Sequence, residues 1–297
     1  MPRTWTVESS TVEIGSEIDR LIVVSDLHGY REPLLGVDRC LESLPGTRAV
    51  FVNGDLFEGG IDPMEMIEWV RANADGRTTR GNHDSAVFAF MQNRTLEYGS
   101  QHWMGDGELA GYKCLNAEQL EFVAGLPDQL LVKWRGKTIR MLHGHWNHAV
   151  TGYTDWKSTP DQLMALFYDP GVDCTTIGHT HYPFVRKQAG SILANSGSVS
   201  VPIQRFRSAH GPVTDRDEME GRGSNQPVES SLLSITVGNG ELCVEIVPVD
   251  FDRIGMLKRY EELDNLLIPF STRKTWVEEG LLDLTLIESA TRGEREK

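Results

Sequence analysis

Cysteine is scarce in this 297-residue chain: Cys40, Cys114, Cys174 and Cys243 are the whole supply, and they lie far apart. With no Cys-x-x-Cys pair, zinc-finger spacing is absent. Scattered lone thiols fit a reducing compartment rather than a disulfide framework. Long apolar runs are missing as well. None approaches the roughly 20 residues that a membrane-spanning helix needs, and the opening MPRTWTVESS has no apolar signal core. Positive charge is in short supply, with 29 Lys and Arg against 43 Asp and Glu and a formal net charge of −14. Affinity for nucleic acid and for anionic membranes rests on clustered Lys and Arg. Extended nucleic acid and membrane are therefore not expected partners, and the expected location is cytoplasmic.

What the chain does contain is a recurring pattern of a short Val- and Ile-rich run that ends in a polar, glycine-flanked cluster. Residues 21–24 lead into Ser25-Asp26-Leu27-His28-Gly29, and 49–52 into Asn53-Gly54-Asp55. Residues 138–142 lead into His143-Gly144-His145, 174–177 into Gly178-His179-Thr180-His181, and 191–194 into Asn195-Ser196-Gly197-Ser198. Such runs, bounded by turn residues, predict buried strands. Apolar residues at helical spacing predict helices over 33–44, 63–73, 117–125 and 161–168, with Gly125 as a stop signal. Two hairpins are expected, over 129–143 and 231–247. This alternation predicts an α/β protein, a layered sheet with helices on its faces.

The stretch 205–229 is poor in apolar residues and rich in Gly, Pro and charge, and reads as a long mobile loop with a possible lid role. The tail from Asp252 reads as helical. The expected organisation is one catalytic domain over 1–250, with an excursion at 85–115 forming a wall of the substrate cleft and the loop at 205–229. A helical extension over 251–297 would pack on the same domain.

The location of the histidines carries the functional argument. The chain has nine, and His28, His143, His179 and His181 follow predicted strands, while His83 lies in Arg80-Gly81-Asn82-His83-Asp84 behind the short segment 77–79. In open α/β sheets ligands bind beyond the carboxyl ends of the strands, so these residues, with Asp26 and Asp55, should gather on one rim. Imidazole and carboxylate together suit first-row metals. Two ions about 3.5–4 Å apart, able to clamp the attacking and leaving oxygens of a phosphoryl displacement, need such an inventory with one bridging carboxylate. Any one of these clusters alone reads more simply as a turn Asp or a surface His. It is the ordered series that carries weight.

That series resembles the calcineurin-like metallophosphoesterase superfamily, whose signature runs DxH, GD, GNH followed by an acid, a lone His, and GHxH. Here it reads Asp26-Leu27-His28, Gly54-Asp55, Gly81-Asn82-His83-Asp84, His143 and Gly178-His179-Thr180-His181, all in order. The resemblance implies a β-sandwich core of mixed sheets flanked by helices, and a metal-dependent phosphoesterase. It implies one ion on Asp26, His28 and His181, a second on Asn82, His143 and His179, and Asp55 bridging them. The ions would be Mn, Fe or Zn, divalent or of mixed valence, and a hydroxide shared between them would be the nucleophile. His83 would stand at the leaving oxygen as general acid or electrostatic clamp, with Asp84 orienting its ring and favouring the imidazolium. His145 is placed over the substrate pocket and Arg80 is taken as a phosphate contact.

The features are mixed between the protein phosphatase and dinucleoside tetraphosphatase branch and the phosphodiesterase branch. The first branch typically shows GDxxDRG, and here Gly59 stands where that Arg would be. Phosphatase or phosphodiesterase activity is expected, with dinucleoside polyphosphate hydrolysis or Ser/Thr protein phosphatase activity as alternatives. A non-catalytic scaffold on the same fold is disfavoured because every ligand position is filled.

Overall fold

The Val- and Ile-rich runs form the middle of two stacked sheets. In the computed structural model, residues 7–57, 60–85, 115–144, 158–207, 213–216, 229–261, 274, 278–279 and 281–283 are described. One sheet consists of β2 (Arg20–Val24), β3 (Arg48–Asn53), β4 (Thr78–Thr79), β12 (Ser230–Gly238) and β13 (Glu241–Val249), in the spatial order β13-β12-β2-β3-β4. The other consists of β1 (Ser9–Ile14), β5 (Gln129–Trp134), β6 (Lys137–Leu142), β7 (Cys174–Ile177), β8 (Phe184–Gln188) and β9 (Ser191–Asn195), in the order β1-β5-β6-β7-β9-β8. β2, β3 and β4 run parallel, as do β6, β7 and β9, so each sheet aims the ends of several strands the same way.

Alternation along each strand builds the layers. Leu21 and Val23 of β2, with Phe51 of β3, face Val132, Ile139, Met141 and Ala194 of the other sheet, and these side chains form the core between the sheets. Ile22 and Val24 of β2, with Val50 and Val52 of β3, point outward beneath α1 (Arg31–Ser43), α2 (Pro63–Ala74) and α3 (Ala117–Ala124), whose Leu34, Val37, Ile67, Val70 and Val123 cover them. The second sheet is covered by α4 (Pro160–Phe167) through Leu163, Met164 and Phe167. Burial on both faces explains why the inner strands read as continuous apolar runs rather than alternating ones. The result is the expected α/β arrangement of two mixed sheets flanked by helices.

Local chemistry sets the helix ends. α3 and α4 each begin with a capping box, Asn116 with Gln119 and Thr159 with Gln162, and α3 ends at Gly125. α2 begins with Pro63 in its first turn.

Three features depart from the sequence reading. β1 and β8 were not expected. β1 is a half-exposed strand on the edge of its sheet, and β8 is an edge strand whose last residues, Lys187 and Gln188, are exposed, so neither carries the apolar run that marks a buried strand. The stretch 205–229 is not all loop. It contributes β10 (Arg205–Arg207) and β11 (Val213–Asp215), an antiparallel pair. The tail forms the helix α5 (Arg253–Glu261), yet residues 281–283 are strand β14 (Leu281–Asp283), parallel to β10. The β10–β14 pairing joins residues far apart in sequence, Arg205 with Leu281, which local periodicity cannot report. The excursion expected at 85–115 lies outside the described residues except for Ser85 and Leu115.

Candidate metal centre

The parallel strands bring their polar ends to one rim, and the backbone ladder continues past them. Beyond β2 and β3, Asp26 N–H donates to the Gly54 carbonyl at 3.1 Å, His28 N–H to Asp55 at 3.0 Å and Gly29 N–H to Leu56 at 2.9 Å. Beyond β6 and β7, Gly178 N–H donates to the His143 carbonyl at 2.9 Å. The site thus lies on the seam of the two sheets, with Asp26, His28 and Asp55 coming from one and His143, His179 and His181 from the other.

At these positions the chain turns through the left-handed region. Asp26 has φ 57°, His28 51°, Asp55 55°, His179 63° and His181 57°. The other non-glycine residues with positive φ among those described are Arg135, Ala189 and Asn239, each preceding a glycine in a hairpin turn. A side-chain-bearing residue in this region costs about 1–2 kcal/mol, a strain that gathers where side chains must be aimed at a function. Close approach explains the motif glycines. A Cβ on Gly81 would lie 2.0 Å from Asp55 Oδ1, and one on Gly54 would lie 2.6 Å from Gly81 N.

The side chains form two overlapping donor groups. Asp26, His28, Asp55 and His181 each offer a ligand atom within 4.8 Å of the others, and Asp55, His143 and His179 do the same. Asn82 joins the second group, its Oδ1 lying 2.9 Å from His179 Nδ1 and 3.1 Å from His143 Nε2. Asp55 is the member common to both groups.

Backbone carbonyls set the ring orientations. His143 Nδ1 lies 2.6 Å from the Asn53 carbonyl and His181 Nδ1 lies 2.6 Å from the Val201 carbonyl. A carbonyl only accepts, so each Nδ1 carries its proton and each Nε2 faces the cluster. There His181 Nε2 is 3.0 Å from His28 Nε2 and 3.2 Å from Asp26 Oδ1, and His143 Nε2 is 3.0 Å from Asp55 Oδ2.

Electrostatics separate the rings. Burial, followed by the neighbouring His181, pushes His28 down to about 4. Burial, followed by His143, pushes His179 down to about 4. Both rings are therefore neutral at neutral pH. Burial also acts to lower His143, but Asp55 and Asp26 together outweigh it and hold this ring up at about 9. His143 could hold a cation at Nε2 only after losing that proton. Burial raises Asp55, yet the surrounding imidazoles, His143 first, hold it well below the ordinary carboxylate range.

The residues fit a divalent metal ion. Asp26 Oδ2 and Asp55 Oδ2 are buried without a hydrogen bond, although the ring nitrogens of His143, His83 and His28 stand 3.0, 3.7 and 4.0 Å from Asp55 Oδ2. Buried carboxylate oxygens are tolerated when they are paired or coordinate a cation, and a mixed imidazole, carboxylate and amide set suits a divalent metal.

Asp84 does not orient the His83 ring. Its Oδ2 accepts from the backbone N–H groups of Asp55 and Gly81, both at 2.8 Å, and its Oδ1 from that of Leu56 at 2.9 Å. Burial and then Asp55 raise the Asp84 carboxyl to about 7, against these bonds. His83 donates its backbone N–H to Asp55 Oδ1 at 3.0 Å. Burial pushes its ring down to about 3 despite Asp55, so it is a neutral imidazole and not the expected imidazolium. Arg80, expected at a phosphate, has its guanidinium buried on Asp128 at 2.7 and 3.2 Å and reaches the Ala124 carbonyl. His145 lies outside the described residues.

Other contributors were not identified from the sequence. Asn53 orients His143 through its carbonyl and reaches Thr176 Oγ1 on the opposite sheet at 3.0 Å. Ser198 and Ser200 both donate to the Asp26 carbonyl at 2.8 Å, and Asn195 Nδ2 holds the Gly178 carbonyl at 2.7 Å. The available signal was the polar turn Asn195-Ser196-Gly197-Ser198 behind its strand.

Comparison with known proteins agrees with this geometry. Residues 20–213 match the model of the calcineurin-like phosphoesterase superfamily domain. The uncharacterized protein MJ0912 of Methanocaldococcus jannaschii is 27% identical over 183 residues, 60% of this chain and 69% of its own. Two solved structures share the fold. A metallophosphoesterase from Sphaerobacter thermophilus aligns with TM-score 0.56 at 18% identity, over 86% of this chain and 99% of its own. The hypothetical protein PH1004 from Pyrococcus horikoshii OT3 aligns with TM-score 0.60 at 15% identity, over 82% and 92%.

Proposed function

Because the chain belongs to the calcineurin-like phosphoesterase superfamily and is a phosphoester hydrolase with a metal-binding Asp/His cluster, we propose that it works with two ions, divalent or of mixed valence. Asp26, His28, Asp55 and His181 hold one of them, and Asp55, Asn82, His143 and His179 hold the other. The observation that carries this reading is the membership of Asp55 in both donor groups, which is what a bridging carboxylate requires. Bound there, such ions supply an activated water at neutral pH and neutralise charge on the phosphoryl oxygens.

The chain's own residues then have separate tasks. The left-handed turns at Asp26, His28, Asp55, His179 and His181 aim the donors before any ion arrives, so little reorganisation is needed on loading. Asn82 adds a neutral oxygen to the second group, and Asp55 fixes the spacing of the two. His83, beside Asp55 and 5.2 Å from the His28 ring between centroids, is placed to donate a neutral N–H to the leaving oxygen. Asp84 acts on the backbone of Asp55 rather than on the substrate. Gly59 in the Arg position and the engagement of Arg80 with Asp128 remove two guanidinium grips for a phosphate dianion. This favours phosphodiesters over monoesters.

Turnover of p-nitrophenyl phosphate and of its bis ester with added Mn²⁺, before and after chelation, tests the proposal. The bis ester should turn over faster, and chelation should abolish both activities reversibly. Asp55→Asn should lose bound Mn²⁺, measured by plasma emission, together with activity. Turnover that is absent on both esters, or that survives chelation, refutes the reading.

A further inference from the structure

We propose that Arg216 is a positioning residue for the Gly178-His179-Thr180-His181 turn, holding its two histidines in ligand geometry; the inference rests on the two-ion reading above. Arg216 lies outside the family match at residues 20–213 and directly follows β11, in a stretch that the sequence suggests is loop.

The turn needs an external support. His179 and His181 both adopt left-handed φ values, 63° and 57°, on either side of Thr180, and both lack the glycine that makes such a backbone inexpensive. The turn is held from several directions. His179 N–H donates to Asp26 Oδ1 at 3.2 Å, and Thr180 Oγ1 accepts from Asn195 Nδ2 at 3.1 Å. The Thr180 carbonyl, between the two histidines, is held by Arg216 Nη1 at 2.7 Å.

The same guanidinium nitrogen reaches the Ile203 carbonyl at 3.3 Å. Ile203 N–H donates to the His181 carbonyl at 3.1 Å, and Val201, two residues before Ile203, holds His181 Nδ1. Arg216 therefore joins the backbone of the ligand turn to the segment that fixes the His181 ring. It does so as a cation that is 5% exposed, with its guanidinium carbon 5.1 Å from the centroid of the Tyr182 ring. A planar, multi-donor group that serves two carbonyls and packs on an aromatic ring is a task for Arg and not for Lys.

The small third sheet delivers this residue. Arg216 N–H donates to the Gln204 carbonyl at 3.0 Å, closing the end of the β10–β11 pair. β10 is in turn paired with β14, and Arg205 Nη2 reaches the Glu279 carbonyl at 2.6 Å. Residues near the end of the chain thus support an element that reaches the back of the metal turn.

The test compares the full-length wild type with Arg216→Ala and Arg216→Lys. Mn²⁺ affinity and stoichiometry are measured by calorimetry, and the melting temperature is measured in chelator. Loss of an outer partner of a metal ligand typically weakens metal binding by roughly 10–100-fold. Arg216→Ala should show that loss, Arg216→Lys a smaller one, and low-millimolar guanidinium should restore binding to the Ala variant. Wild-type affinity in Arg216→Ala overturns the inference. So does weakened binding that guanidinium leaves unrestored while the melting temperature in chelator falls in parallel, because Arg216 would then support the fold alone. Should the Ala variant not fold, Arg216→Lys decides, and wild-type Mn²⁺ affinity in it overturns the inference. A wild type that binds no Mn²⁺ refutes the two-ion reading itself, a result distinct from any of these.

Discussion

The carboxylate of Asp84 accepts the backbone N–H of Asp55 at 2.8 Å, so the residue that ends the Gly81-Asn82-His83-Asp84 block secures the main chain of the proposed bridging ligand. With Gly81 and Leu56 as further donors, one buried side chain ties two motif loops together and sets the position of Asp55 between the donor groups.

Asp84→Asn tests that clamp. An amide has one acceptor oxygen where the carboxylate has two, and its NH₂ would face a backbone N–H. A buried donor left without a partner costs about 1–3 kcal/mol. Denaturant unfolding in chelator should show a loss of that size, and Mn²⁺ binding should weaken because Asp55 shifts. Unchanged stability and unchanged binding together would remove the clamp role.

Gly81→Ala isolates the space requirement. The added Cβ would meet Asp55 Oδ1 at 2.0 Å, an oxygen held by the His83 N–H, and the backbone Asp55 N at 2.3 Å. Overpacking of this kind typically costs about 1–3 kcal/mol. The larger effect is expected on the metal: Mn²⁺ stoichiometry should drop at a temperature where circular dichroism still reports a folded protein. Full occupancy in this variant would show that Asp55 has room to move without consequence.

His83→Ala should separate binding from turnover. His83 lies beside Asp55 but is outside both donor groups, so the variant should retain both ions by plasma emission. Its kcat should fall by roughly 10²–10³-fold, the usual worth of one positioned hydrogen-bond donor at developing charge, with less change in KM. Wild-type kcat would refute the assigned place at the leaving oxygen.

The metal-free protein should be acid-labile. His28 and His179 titrate at about 4 and His83 at about 3 in the fold, against about 6.5 in an unfolded chain. Their contribution to stability is complete above pH 6.5 and is lost as pH falls towards 4. Asp84, raised to about 7, offsets part of this, since it takes up a proton in the fold that the unfolded chain does not bind until near pH 4. His143, held up at about 9, contributes most below pH 6.5 and loses that contribution as pH rises through 9. Unfolding in chelator should therefore be coupled to net uptake of about two protons between pH 6.5 and 4, since unfolding lets three imidazoles charge while one carboxyl loses its proton. A melting temperature that is flat over this range would contradict the electrostatics described for the cluster.

Much of this was legible along the chain. Short runs of apolar and β-branched residues before Asp26, Asp55, His143 and His179 marked the inner strands because burial leaves a compositional trace. β1 and β8 left none because they lie at sheet edges with exposed or half-exposed residues. The pairing of β10 with β14 was out of reach for a different reason, since two three-residue strands lying far apart in sequence carry no local signal.

By itself, the sequence determined the chemical inventory, the order of the strands that carry it and the glycines at Gly54 and Gly81, because residue type and local backbone preference are properties of neighbours along the chain. Only the tertiary structure decided where each side chain is directed. It turned Arg80 to Asp128, moved Asp84 from the His83 ring to the Asp55 backbone, and brought Arg216 to the Thr180 carbonyl. These choices depend on which buried donor or acceptor lies within reach once the two sheets have packed, and that competition is set by contacts between residues tens of positions apart.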